Sequence, residues 1–172
     1  MSSHYEGEQM VVPFNSLNVD ISCVGNHEVD MGIEHAKSLI AKTNCPWILS
    51  NIIQKDSGKQ FCDVEPYHII ERDGFKIGFL GFAEAEWFDQ FKPEIDISEL
   101  EYIDFNDSLK KYSQILKEEH GCDLVMALNH VRVPDDKKMA AANKSPDVVD
   151  IIFGGHDHTY FRELNEDTGV FI

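Results

Sequence analysis

The chain of 172 residues has the length of one ordinary domain, and its 42% hydrophobic content is enough to bury a core, which argues against disorder. Its formal charge of -16 repels nucleic acid and anionic membrane surfaces, and no apolar run approaches the ~20 residues that span a bilayer. The start "MSSHYEGEQM" has neither region of a signal peptide, and Cys23, Cys45, Cys62 and Cys122 lack zinc-ribbon spacing, so buried thiols in a cytoplasmic protein are the expectation.

In chain order, "VDISCVG" (19–25) is apolar and β-branched and reads as a buried strand. "IEHAKSLIAKT" follows as a helix with Ile33, Ala36, Leu39 and Ile40 on one face, Asp30 as its cap, and Asn44 and Pro46 as stops. "PWILSNI" (46–52) reads as a strand. Residues 67–82 read as two strands around the turn Asp73-Gly74. The stretch 84–105 has a mixed pattern and supports no assignment. "NDSLKKYSQILKEEHG" is the clearest helix, with Leu109, Tyr112 and Leu116 on one face, Asn106 as cap and Gly121 as its close. "CDLVMALNH" is a buried strand, 135–143 a short helix, and "DVVDIIFGGHDH" a further strand. "TYFREL" and "GVFI" read as strands at the chain end. Alternating helices and nearly continuous apolar strands indicate an α/β domain with helix-covered sheets.

Three of these strands end in polar groups of one kind: Gly25-Asn26-His27-Glu28, then Asn129-His130, then Gly154-Gly155-His156-Asp157-His158. Ligands of α/β sheets bind beyond the carboxyl ends of strands. Imidazole nitrogens and an Asn oxygen are donors for divalent metals. His156 and His158 are two apart and can share a site only if the backbone bends, which Gly154 and Gly155 permit. Arg132 is a candidate phosphate contact, balanced by a surface reading. His35, His68 and His120 read as structural, and Trp47 and Trp87 as core.

"GNHE" after a strand, a later strand-end His and a terminal "GGHDH", in this order, resemble the calcineurin-like metallophosphoesterases. "GNHEVDMG" followed by a helix and "PWILSNI" resembles their 5'-nucleotidase group. The resemblance implies a double β-sheet sandwich flanked by helices in α-β-β-α layers, with two divalent metal ions (zinc, manganese, cobalt or iron) at the sheet edge. It implies Asn26, His130 and His156 as ligands of one ion and His158 as a ligand of the other. It implies His27 as the catalytic histidine and Asp30 as the carboxylate that orients it. Glu28 belongs to the motif without direct chemistry. The activity implied is hydrolysis of a small phosphorylated substrate, a nucleotide, by a metal-activated water.

The family's site begins with Asp-x-His and Gly-Asp segments, and neither lies among the residues before Asn26, where the only histidine is His4. Asn129 stands where relatives often carry Thr. The expectation is therefore a single partial domain over residues 1–172, lacking the first strand and the C-terminal nucleotidase domain. Such a chain would hold one ion weakly or none. A non-catalytic fragment and a cyclic-nucleotide phosphodiesterase of the same superfamily are the alternative readings.

Overall fold

A computed structural model describes residues 6–90, 95–143 and 148–172, so His4 and the first residue of the 147–158 segment lie outside the described residues. The chain runs α1 (Glu8–Ser16), β1 (Ser22–Cys23), α2 (Ile33–Ile40), β2 (Trp47–Ile48), β3 (Ile52–Gln54), β4 (Tyr67–Arg72), β5 (Phe75–Ala83) and α3 (Trp87–Gln90). It continues through β6 (Leu100–Tyr102), α4 (Phe105–Gln114), β7 (Leu124–His130), α5 (Val133–Ala142) and β8 (Ile151–Phe153). No helix among the described residues is long and apolar enough to cross a membrane.

The main sheet has the order β4-β5-β7-β8. β4 and β5 form the antiparallel hairpin expected around Asp73-Gly74, with Arg72 opposite Phe75. β5, β7 and β8 are parallel, with Ala83 level with His130 and Leu128 level with Phe153. β1 and β2 form a small parallel pair, and β3 and β6 an antiparallel one. Two glycines of β5 mark the layers, because residues three apart on a strand face opposite sides. A Cβ on Gly81 would lie 2.9 Å from Cys23 Sγ of β1 and 3.0 Å from Ile48 Cγ1 of β2, whereas one on Gly78 would meet Leu116, just beyond α4. β5 is thus sandwiched between the β1-β2 pair and the α4 segment, and α2 packs with Val24 and Leu49 in the second core cluster. This is the layered arrangement expected, as a partial domain.

Several boundaries differ from expectation for identifiable reasons. The 46–52 strand breaks, because Leu49 N donates to Glu65 O and Ser50 N to Gly81 O, so the backbone changes partner at each step. The side chain of Asp104, not Asn106, caps α4 by accepting from Asn106 N. Asp30 does not cap α2, whose cap is Gly32. α4 continues as a π-turn (Ile115–Glu119) before Gly121, which has φ +66°. "TYFREL" and "GVFI" pair only locally, through the Leu164–Phe171 bridge and the backbone bonds exchanged by Glu163 and Ile172, with Phe171 also bridged to Ile151, and neither forms an extended strand. α1 was not expected: it contains Pro13 and buries no residue. Its anchors are tertiary, with Asn15 Nδ2 donating to Lys42 O (2.9 Å) and Phe14 stacked on Trp47.

Ser50 and Asn51, both fully buried, act as a substitute strand for the end of β5 where β4 has stopped. Asn51 Nδ2 donates to Ala83 O (2.8 Å) and Ala83 N donates to Asn51 Oδ1 (2.9 Å). Ser50 Oγ accepts from Gly81 N (3.0 Å) and donates to Pro66 O (2.6 Å). Replacing Asn51 by Leu leaves both backbone groups of Ala83 buried and unpaired, which costs about 1–3 kcal/mol for each group. We expect Asn51→Leu to lower the urea midpoint by the equivalent of about 2–4 kcal/mol at unchanged m-value. A midpoint within experimental error of the parent would contradict this account.

Candidate active site

The carboxyl ends of β1, β7 and β8 converge. His130, the last residue of β7, places Nε2 3.0 Å from Asn26 Oδ1 and 3.2 Å from His156 Nδ1. Trp87, fully buried, sets its ring edge-on to His130 at 5.5 Å. Asn26 and His27 lie more than 100 positions from His130 and His156, and the sheet brings the two groups to one place.

The loop after β1 is held by its own glutamate. Glu28 Oε2 accepts from Gly25 N (2.6 Å), and burial raises the Glu28 carboxyl above its usual range. This is the role that the sequence leaves open for Glu28. The same loop carries His27, whose Nδ1 lies 3.1 Å from Asp30 Oδ2. Both side chains are open to solvent, 77% and 50% exposed, so the pair contributes little to stability. Its geometry fixes one imidazole nitrogen and leaves Nε2 free to face outward.

The bend after β8 is built differently from expectation. Neither Gly154 nor Gly155 has positive φ; the left-handed positions are His156 (φ 73°) and His158 (φ 53°) themselves. Such backbone is rare outside glycine and is characteristic of functional sites. Gly154 is needed for space, since a Cβ there would lie 2.3 Å from Asp136 Oδ2. Asp136 of α5 in turn accepts from Asn129 Nδ2 (2.7 Å). Asp157 Oδ2 accepts from Val133 N (2.7 Å), tying the bend to the start of α5.

Burial, then repulsion from His156, His27 and His158, pushes His130 down to about 4. His130 is therefore neutral at pH 7 and has a lone pair to offer. The donors Asn26 Oδ1, His130 Nε2 and His156 Nδ1 fit one divalent ion: four ligands at ~2.0–2.1 Å in a tetrahedron stand roughly 3.3 Å apart, close to the spacings here. His158 contributes to the charge felt by His130 but gathers no companions. Among the described residues no group of three or more His, Cys, Asp or Glu is arranged to hold a metal ion.

Arg132 directs Nε to Glu84 Oε2 (3.0 Å) and Nη2 to Glu86 Oε2, so both arms of its fork are already engaged by carboxylates. Glu84 and Asp136 are buried polar groups at the site that the sequence did not single out, and Asn129, noted there beside His130, is buried with them. Glu84 carries the signal used for the others, a polar group directly after an apolar strand. It escaped notice because β5 runs one residue beyond Phe82. Of the histidines read as structural, His35 Nε2 contacts Glu6 O (2.6 Å), His120 Nε2 contacts Tyr67 Oη (3.0 Å), and His68 lies in β4. All four cysteines are free, and burial pushes Cys23 and Cys62 up to about 12, which leaves them unreactive thiols.

A family model described as calcineurin-like phosphoesterase matches residues 4–160. An apyrase of Tabanus yao is 31% identical over 152 residues, covering 85% of this chain and 25% of its own length. A 5'-nucleotidase of Vibrio cholerae is 29% identical over 152 residues, covering 83% of this chain and 27% of its own. The chain thus spans about a quarter of these relatives. Among solved structures, the sulfate thiohydrolase SoxB of Thermus thermophilus superposes with a TM-score of 0.84 at 17% identity, over 99% of this chain and 30% of that one, a likeness of fold.

The buried acid and the buried base here have opposite effects on stability. Burial pushes Asp136 up to about 7, against the lowering effect of the Asn129 hydrogen bond. Its penalty is absent below about pH 4, grows as pH rises to about 7, and is constant above. His130 loses stability in the other direction, as pH falls from about 6.5 towards 4. We expect Asp136→Asn to remove only the first dependence. Relative to the parent it should gain about 4 kcal/mol between pH 4 and pH 8, measured by urea unfolding. Parallel stability profiles for the two proteins would contradict the assignment.

Proposed function

The chain belongs to the calcineurin-like phosphoesterase family, and we propose that it supplies the metal-dependent centre of a 5'-nucleotidase-like enzyme that hydrolyses nucleotide monoesters. The observation that carries this reading is the convergence of Asn26, His130 and His156 from three strand ends, next to the His27–Asp30 pair. The nucleotidase and apyrase names of the relatives support the substrate class.

In this reading Asn26, His130 and His156 hold one divalent ion, and His158 is the chain's contribution to a second. When bound, the metal supplies Lewis-acid stabilisation of the phosphoryl oxygens and a source of hydroxide at neutral pH. The remaining steps fall to the protein. Asp30 accepts from His27 Nδ1–H, which sets the orientation of the ring and turns Nε2 towards the substrate. His27 Nε2–H then donates its proton to the leaving oxygen as the P–O bond breaks. Neutral His130 takes no proton from the reaction. The positive charge of the ion also offsets the acidic chain where an anionic substrate must approach.

Proton donation predicts a dependence on the leaving group. With manganese, zinc or cobalt supplied, His27→Ala should lower kcat about 10²–10⁴-fold on a nucleoside 5'-monophosphate, whose alkoxide needs a proton. The loss should be much smaller on p-nitrophenyl phosphate, whose phenolate leaves unaided. The unfolding midpoint should not move, because the pair is exposed. Equal losses on both substrates would remove His27 as the acid. Metal binding by the parent chain without turnover would favour the non-catalytic reading.

A further inference from the structure

Glu84 takes no part in the chemistry above, yet it is 2% exposed and lies beside the donor cluster. Its two oxygens have different surroundings. Oε2 accepts from Arg132 N (3.2 Å) and Arg132 Nε (3.0 Å). Oε1 is buried, has no hydrogen-bond partner, and lies 3.6 Å from His156 Nε2. A buried carboxylate oxygen without a hydrogen-bond partner is uncommon, and an imidazole nitrogen lies within ion-pair distance of this one.

We infer that Glu84 is a positioning residue that keeps the proton of His156 on Nε2, so that Nδ1 presents its lone pair beside His130 and Asn26 for a divalent cation. The inference rests on the reading of those three residues as the donors of one ion. A carboxylate only accepts, and a neutral imidazole carries one proton, so the nitrogen facing Glu84 is the protonated one. The opposite nitrogen, Nδ1, is the one that lies 3.2 Å from His130 Nε2. Metal-binding histidines generally direct their second nitrogen to a carboxylate or carbonyl, which fixes the tautomer and the ring orientation. The separation of 3.6 Å is too long for a formed hydrogen bond, and the pair meets the wider distance of an ion-pair contact.

Glu84 is itself held from three directions. The amide of Asn51 binds both backbone groups of the preceding residue, Ala83. Ala83 lies level with His130 in the β5–β7 register. Arg132, held on its other side by Glu86, orients Oε2 and compensates the buried charge. The carboxylate therefore has little freedom to turn away from His156.

Glu84→Gln tests this with almost no change of shape. Arg132 donates through two groups and requires an acceptor, so the Gln oxygen takes the Oε2 place and its NH₂ faces His156. That favours the tautomer with the proton on Nδ1, which blocks the donor. Long-range ¹H–¹⁵N correlation spectra of the metal-free protein, with the ring assigned through His156→Ala, should show Nε2-protonated His156 in the parent and a shift towards the Nδ1-protonated form in Glu84→Gln. Affinity for Co²⁺, followed by its visible absorption and by competition with Zn²⁺, should fall about 10–100-fold. In the His156→Ala background the same substitution should have no further effect on affinity. An Nδ1-protonated parent ring overturns the inference without any variant, so it stays testable if Glu84→Gln does not fold. It is also overturned if Glu84→Gln keeps the parent tautomer, or lowers Co²⁺ affinity equally with and without His156. If the parent binds neither Co²⁺ nor Zn²⁺, the metal reading falls, while the tautomer result still decides the role of Glu84.

Discussion

The parallel register of β5, β7 and β8 is the constraint from which the site follows. Ala83 lies level with His130, and Phe153 lies level with Leu128 two residues earlier. Three consecutive strands therefore end within one or two residues of each other. Whatever follows each strand is delivered to the same edge: Glu84 after β5, His130 at the tip of β7, and the 154–158 bend after β8. A slip of one residue between β5 and β7 would exchange the faces of every side chain on the slipped strand. The register is protected on both faces, by Leu116 against Gly78 and by Cys23 and Ile48 against Gly81. At its end it is held by the side chain of Asn51 rather than by another strand.

The polar groups that converge there include the carboxamide of Asn26 and the imidazole of His130, which burial keeps neutral. Two imidazoles and a carboxamide meet there, and no carboxylate is among the three. In a chain of net charge -16, side chains that carry no negative charge keep the site from adding to the acidic field. They also let it pack against apolar neighbours: Trp87 seats its edge on His130, where a carboxylate would have to be desolvated. The cost appears in the backbone, since His156 and His158 both occupy left-handed conformations. That arrangement is maintained by contacts from α5, with Asp136 beneath Gly154 and Asp157 bonded to Val133 N.

Much of this was legible in the sequence because strand ends carry a double signal. An apolar β-branched run followed by Asn or His marks both an element and its functional tip, and Asn26, His27, His130, His156 and His158 were found in that way. The β4-β5 hairpin was equally plain, since Asp73-Gly74 leaves few other turns. What stayed hidden depends on distant partners. α1 has a proline and no buried face, and its anchors, Lys42 and Trp47, are remote in sequence. The capping of α4 by Asp104 rather than Asn106 is a choice between two competent residues two positions apart. The split between β2 and β3 reflects Gly81 and Glu65 as backbone partners, which no local pattern encodes. Glycine was misread in kind: at Gly154 the sequence suggests a flexible hinge, whereas the structure requires an absent side chain.

Glu84 shows where the charge balance of the site resides. A cation held by neutral ligands needs a countercharge close by. Glu86, Arg132 and Glu84 form a chain of alternating charge that ends 3.6 Å from His156 Nε2. The guanidinium cannot neutralise both carboxylates at once, so the group carries net negative charge towards the histidine. Placed behind the ligand rather than on the ion, that charge strengthens the imidazole as a donor without occupying a coordination position. Arg132, which the sequence presents as a candidate phosphate contact, is bonded here to Glu84 and Glu86 and so fixes the direction in which Glu84 points.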